Sequence, residues 1–83
     1  MKKNILVFGG AGFIGSNFIR KIINKNFFVV NIDALTYASS KKNISDLNKF
    51  RNYKFIRSNI IDFVSIRKIL KLYKPLYIIN FAA

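Results

Sequence analysis

All four glycines of the chain fall within Gly9-Gly10-Ala11-Gly12-Phe13-Ile14-Gly15. They satisfy G-x-G-x-x-G counted from Gly10 and G-x-x-G-x-x-G counted from Gly9. Glycines at this spacing permit a tight turn with positive backbone angles, let bare main chain approach a ligand closely, and let a following helix pack near the preceding strand. A helix that opens directly after them presents free N–H groups and the positive end of its dipole, which suits a diphosphate. Asp33 lies 33 − 15 = 18 residues beyond Gly15 and is one of only three acids, with Asp46 and Asp62. A carboxylate about 20 residues past such a loop hydrogen-bonds the hydroxyls of an adenosine ribose. The pair of signals points to a dinucleotide. The carboxylate would repel a 2′-phosphate, so NAD is preferred to NADP, a preference tempered by Lys41 and Lys42. The bland alternative is a glycine-rich turn whose Asp33 merely caps the loop that follows.

The loop needs a strand before it and a helix after it. Asn4 to Phe8 is a short apolar run that fits a strand buried on both faces. From Phe13 to about Lys25, Phe13, Ile14, Phe18, Ile19, Ile22 and Ile23 recur at helical spacing. Phe27 to Asp33 is a second strand, and Thr36 to Asn43 reads as loop. Asp46 to Phe50 offers one helical turn, and Tyr53 to Arg57 a third strand. Ser65 to Lys74 has helical spacing stopped by Pro75, and Leu76 to Phe81 forms a fourth strand. This is an α/β order, for which parallel pairing and right-handed crossovers are expected. The expected architecture is a partial Rossmann fold: a parallel sheet of about four strands, order 3-2-1-4, with flanking helices and a crevice where the order reverses. No internal repeat, low-complexity tract or interdomain linker interrupts it.

Composition sets outer limits. An 83-residue chain holds one small core, burying roughly 60% of its unfolded surface. With 52% hydrophobic residues and nine Phe it is too apolar for intrinsic disorder. Fifteen Lys plus Arg against three acids give +12, but the basic residues are scattered, with Lys2-Lys3 and Lys41-Lys42 the densest pairs. Solvated helix faces are favoured over a nucleic-acid surface. The absence of Cys and His excludes a disulfide framework and the common zinc sets. Met1-Lys2-Lys3 before Ile5 to Ile14 superficially copies a secretory signal, but that stretch holds three glycines and no small-x-small cleavage site follows. No segment reaches the ~20 apolar residues of a membrane span, so a cytoplasmic location is expected.

Gly9 to Phe18, with Ser16 and Asn17 after the glycines, resembles the start of the extended short-chain dehydrogenases/reductases that act on nucleotide sugars. Asn31-Ile32-Asp33-Ala34-Leu35-Thr36-Tyr37-Ala38 resembles the stretch after the second strand in dTDP-glucose 4,6-dehydratases. The spacing to Ser58-Asn59-Ile60-Ile61-Asp62 and the closing Phe81-Ala82-Ala83 fit the same family, while UDP-galactose 4-epimerases look less similar in the loop after Asp33. The resemblance implies an NAD site. Phe13 and Ile14 would offer N–H groups to the pyrophosphate, in the loop that Gly9, Gly12 and Gly15 shape. Asp33 would hold the ribose, with Ala34, Leu35 and Thr36 along the adenosine side. Asn59 and Ile60 would flank the adenine, and Phe81, Ala82 and Ala83 would pass beside the cofactor. The chain departs from the family pattern at Phe8 for a usual Thr, Ala34 for a common Lys, Ser39 for a Gly, and Asn59 for an Asp that receives the adenine amino group.

In that family, hydride leaves the sugar C4 for NAD, water is lost across C5 and C6, and hydride returns to C6. The resemblance places the required Tyr-x-x-x-Lys and acid pair beyond residue 83. This segment is therefore expected to hold the adenosine and pyrophosphate half of the site and to be catalytically incompetent alone, within a family that forms homodimers. Tyr37-Ala38-Ser39-Ser40-Lys41 matches the catalytic spacing by accident. It lies in a loop on the adenosine side, whereas a base must come within ~3 Å of the hydroxyl it deprotonates. Competing readings are an epimerase or reductase segment, a stand-alone basic nucleotide- or RNA-binding module, and an unstable gene remnant with open sheet edges.

Overall fold

A computed structural model describes residues 3–35 and 41–82. Strand β1 (Lys3–Phe8) leads through the glycine turn into helix α1 (Phe13–Ile22), then β2 (Phe27–Asp33), a 3₁₀ segment (Lys41–Lys49), β3 (Tyr53–Arg57), α2 (Phe63–Tyr73) and β4 (Tyr77–Asn80). The strands form one parallel sheet in the order β3-β2-β1-β4. The expected α/β sheet, with its reversal beside β1, is what the chain forms.

Strand alternation divides the core. Ile5 and Val7 of β1 and Val29 of β2 point to the face covered by α1 and the 3₁₀ segment, where they pack with Ile19, Ile23, Ile44, Leu47 and Tyr53. Leu6, Phe8, Val30 and Ile32 point to the opposite face and pack against Ile69 of α2. Both faces of β1 and β2 are thus covered, which explains their unbroken apolar runs. Leu6 and Val7 are 0% exposed, and full burial of such a side chain contributes about 1.5–3 kcal/mol. Because side chains alternate with period two, Asn31 and Asp33 share the α1 face with Val29. That parity carries the strand-end carboxylate toward the glycine turn.

Helix boundaries differ from the expectation. α1 ends at Ile22 instead of near Lys25, because Ile23 to Asn26 form a turn in which Asn26 takes a φ of 65°. Asn52 stabilises that turn by donating from Nδ2 to the carbonyls of Ile23 and Phe27 at 2.6 and 2.9 Å. Within α1, Phe13 and Ile14 are 76% and 70% exposed and do not join the buried stripe assigned to them. α2 starts two residues earlier than Ser65, because the Asp62 carboxylate caps it by accepting from the Ser65 N–H. It closes on Lys74, in the left-handed conformation, just before Pro75. β4 is shorter than Leu76 to Phe81. The 3₁₀ segment begins at Lys41, inside the stretch read as loop, and covers more than the single turn expected at Asp46 to Phe50. Its buried Ile44 and Leu47 are three residues apart, the repeat of a 3₁₀ helix.

Candidate functional site

The C-terminal ends of β1, β2 and β4 converge on the glycine turn. Gly9 has a φ of +78°, and a Cβ there would stand 2.6 Å from the Ala82 nitrogen and 2.8 Å from the Phe81 carbonyl carbon. A Cβ on Gly15 would meet the Gly9 carbonyl oxygen at 2.4 Å. No real Cβ tolerates such distances to backbone, so the turn, α1 and the end of β4 can come this close only through glycine. Gly12 is the N-cap of α1, and no side chain caps that helix. Its first turn therefore offers main-chain donors beside Gly12.

Asp33 sits at this turn. Its carboxylate accepts from the Ala11 N–H at 2.9 Å through Oδ2 and from the Leu35 N–H at 2.8 Å through Oδ1, and the residue is buried. The bland reading of a loop cap is half right, since the Leu35 bond is such a cap. The Ala11 bond reaches 22 residues back and joins the carboxylate to the glycine turn. These two main-chain bonds orient the carboxylate.

The other expected residues are placed as follows. Phe81 donates its N–H to the Phe8 carbonyl at 2.7 Å and stacks its ring at a tilt on Phe18, with centroids 5.3 Å apart, so the end of β4 lies along the turn. Asn59 follows Ser58, whose N–H donates to the Asp33 carbonyl at 3.2 Å. That bond brings the end of β3 beside the end of β2. Asn59 is exposed and its Oδ1 accepts from the Ile61 N–H at 3.1 Å, while Ile60 packs against the core under α2. Thr36 and Ala83, and the Tyr37 to Ser40 part of the Tyr-x-x-x-Lys that ends at Lys41, lie outside the described residues.

Polar residues that sequence reasoning passed over buttress the turn. Asn31 is fully buried and donates from Nδ2 to the Tyr53 hydroxyl at 3.0 Å. Its Oδ1 lies 2.2 Å from where a Cβ on Gly10 would be, so the Gly10 Cα hydrogen points at it as a weak donor. Burial pushes the Tyr53 hydroxyl pKa upward, keeping it neutral. Asn43 donates from Nδ2 to the Ala11 carbonyl at 2.9 Å. Arg20 binds Asp46 through Nε at 3.0 Å and Nη2 at 2.8 Å, and also donates to the Asn43 carbonyl. The guanidinium bond holds the Asp46 carboxyl below its ordinary pKa and raises that of Arg20. Arg20 lies in a helix, Asn31 in a strand and Asn43 in the 3₁₀ segment, and nothing in their spacing names their partners, so only the long-range contacts reveal these roles.

With this geometry in view, the likeness to known proteins becomes specific. The model of the GDP-mannose 4,6 dehydratase family matches residues 6–83. The chain belongs to that family. Among curated relatives it is 43% identical over 79 residues to a probable dTDP-glucose 4,6-dehydratase of Sinorhizobium fredii, covering 95% of this chain and 23% of that protein. It is 44% identical over 80 residues to the dTDP-glucose 4,6-dehydratase of Salmonella typhimurium, covering 95% and 22%. The chain thus spans under a quarter of the length of these dehydratases. The crystal structure of dTDP-glucose 4,6-dehydratase from Bacillus anthracis in complex with NAD superposes with a TM-score of 0.92 at 37% identity, over 98% of this chain and 27% of that one. As in that family member, the fold here is the N-terminal part of a Rossmann sheet. Among the described residues, no helix is long and apolar enough to cross a membrane, and no group of His, Cys, Asp or Glu could hold a metal ion.

Proposed function

We propose that residues 1–83 form the NAD-binding segment of a nucleotide-sugar dehydratase that turns dTDP-glucose into dTDP-4-keto-6-deoxyglucose, and that the segment does not catalyse this alone. The observation that carries the reading is the Asp33 carboxylate bonded to the Ala11 N–H at the foot of an uncapped helix. One buried anion is oriented beside a turn whose glycines let the strand end, the helix start and the end of β4 close together. NAD fits that donor and acceptor set. Phe13 and Ile14 would donate main-chain N–H groups to the diphosphate, Asp33 would accept from the ribose hydroxyls, and Ala34, Leu35 and Thr36 would line the adenosine side. Asn59 and Ile60 would border the adenine, with Phe81, Ala82 and Ala83 along the cofactor. When bound, NAD supplies a hydride acceptor. The chain's own residues bind and orient it, and exclude NADP through the Asp33 charge.

The sugar pocket and the proton-transferring groups belong to the rest of the enzyme, for which a homodimer in the cytoplasm is proposed. An epimerase segment is the second reading. It draws support from the UDP-glucose 4-epimerase of Thermotoga maritima crystallised with UDP-glucose, which matches at TM-score 0.83 and 36% identity over 96% of this chain and 24% of that one.

Calorimetric titration of the chain with NAD and NADP tests the cofactor assignment. NAD binds more tightly, and Asp33→Ala loses about 10- to 100-fold in affinity, the worth of a hydrogen bond to a charged group. A chain that ignores NAD but binds oligonucleotide with steep salt dependence is instead a basic nucleic-acid module.

A further inference from the structure

The peptide linking Ala11 to Gly12 turns about Ala11 ψ and Gly12 φ, so one of its two hinges is a glycine. A glycine hinge loosens a peptide plane, and this plane borders the uncapped start of α1. The same peptide's N–H donates to the Gly9 carbonyl at 3.3 Å, so a half-turn of the plane would set the Ala11 carbonyl against that oxygen. The carbonyl is instead taken up by Asn43 Nδ2 at 2.9 Å. On its other side, Ala11 is held through its N–H by Asp33 at 2.9 Å. Asn43 comes from the 3₁₀ segment, more than 30 residues downstream in sequence, and its own carbonyl accepts from Arg20 of α1. Arg20 grips the same segment a second time through both oxygens of Asp46.

We propose that Asn43 is a positioning residue for the diphosphate-binding turn, fixing the Ala11 carbonyl and with it the Ala11–Gly12 peptide that leads into α1, and that Arg20 sets Asn43 in place. The inference rests on the cofactor reading above. The arrangement couples the two ends of the ligand. The 3₁₀ segment follows the adenosine-side loop, and its hydrogen bond, together with that of the Gly12 N–H to the Gly9 carbonyl, fixes the diphosphate-side backbone. Asn43 touches neither half of the ligand in this scheme and acts through Ala11.

The test compares two probes on the full chain: adenosine, and ADP, which adds the diphosphate. Asn43→Ala removes the donor, and Asn43→Asp keeps the shape while placing a negative oxygen against the carbonyl. ADP affinity falls about tenfold in Asn43→Ala and further in Asn43→Asp, while adenosine affinity changes by less than about twofold. The Gly12 amide resonance, which reports on the peptide it shares with the Ala11 carbonyl, shifts in both variants without ligand, and Arg20→Gln shifts it in the same direction by less. An equal loss for both probes, or a lower melting temperature with unchanged affinities, makes Asn43 a general stabiliser and overturns the proposal. An unmoved Gly12 resonance overturns it as well, since the carbonyl is then not held by Asn43. Wild-type chain that binds neither probe removes the cofactor reading and this inference with it. Wild-type chain that binds both, with variants that match it, removes the inference alone.

Discussion

The half of the sheet around β1 and β2 and the half around β4 and α2 are built to different standards. In the first, apolar side chains are sealed on both faces, and Asp33 and Asn43 hold the main chain of the turn between them. In the second, Tyr77 and Ile78 remain 49% and 54% exposed on opposite faces of β4, and Phe63, Val64 and Leu72 of α2 are bare. β4 pairs with β1 alone among the described strands. Parallel strands are normally covered on both faces, and an open apolar edge invites pairing with another chain. The contrast teaches that the ligand-facing turn is rigidified by contacts made within this segment. The apolar surface beyond β1 is not satisfied by them.

Substitutions can break or sharpen this contrast. The largest effect is expected at Leu6, buried at the centre of β1: Leu6→Ala costs about 2–5 kcal/mol by leaving a cavity, measured by urea melts. A loss no greater than at β4 would show that the first half is not the better packed one. Next comes Gly15→Ala, whose Cβ meets the Gly9 carbonyl. It costs about 1–3 kcal/mol through overpacking and takes NAD affinity with it, read by calorimetry alongside the melt.

A smaller effect separates the halves by pH. Asp46 lies below its ordinary pKa because Arg20 bonds it, and Asp62 because the Ser65 N–H and hydroxyl do. A carboxyl whose pKa is depressed on folding stabilises the fold above its unfolded value, and that contribution is lost as pH falls through the folded value. The melting temperature therefore drops as pH goes below about 4. Asp46→Asn and Asp62→Asn each flatten that drop, modestly, since both groups are exposed and screened. A pH profile that neither variant alters would contradict the assignment. The smallest effect is at Ile78: Ile78→Lys changes stability by less than about 0.5 kcal/mol and slows aggregation, seen by light scattering. A large destabilisation there would mean that β4 is covered in solution after all.

Much of this was legible in the residues. β2 and β3 fall where their apolar runs place them, and the strand order follows from the alternation of strand and helix. The glycine turn was readable because its spacing is local and its steric demands are strict. Asp33 was readable because the end of a strand at that distance brings an acid back to the turn. Helix ends were harder. Asp62 carried a capping signal, but the next two residues, Phe63 and Val64, are apolar and face away from the sheet, so helical spacing began only at Ser65. Illegible altogether was the network of Arg20, Asn43 and Asp46. It is made of polar residues far apart in sequence, and no periodicity announces a contact that only the closed fold creates.

Leu35 leaves β2 with a φ of 59°, a left-handed twist that costs a residue with a side chain about 1–2 kcal/mol. The same residue donates its N–H to Asp33 and packs against the core under α1. The exit from the strand therefore behaves like a latch under tension. Unwinding it would recover the lost energy only by letting go of the anion it aims, so accuracy at that spot is purchased with backbone discomfort, and a residue of easier conformation would trade one for the other.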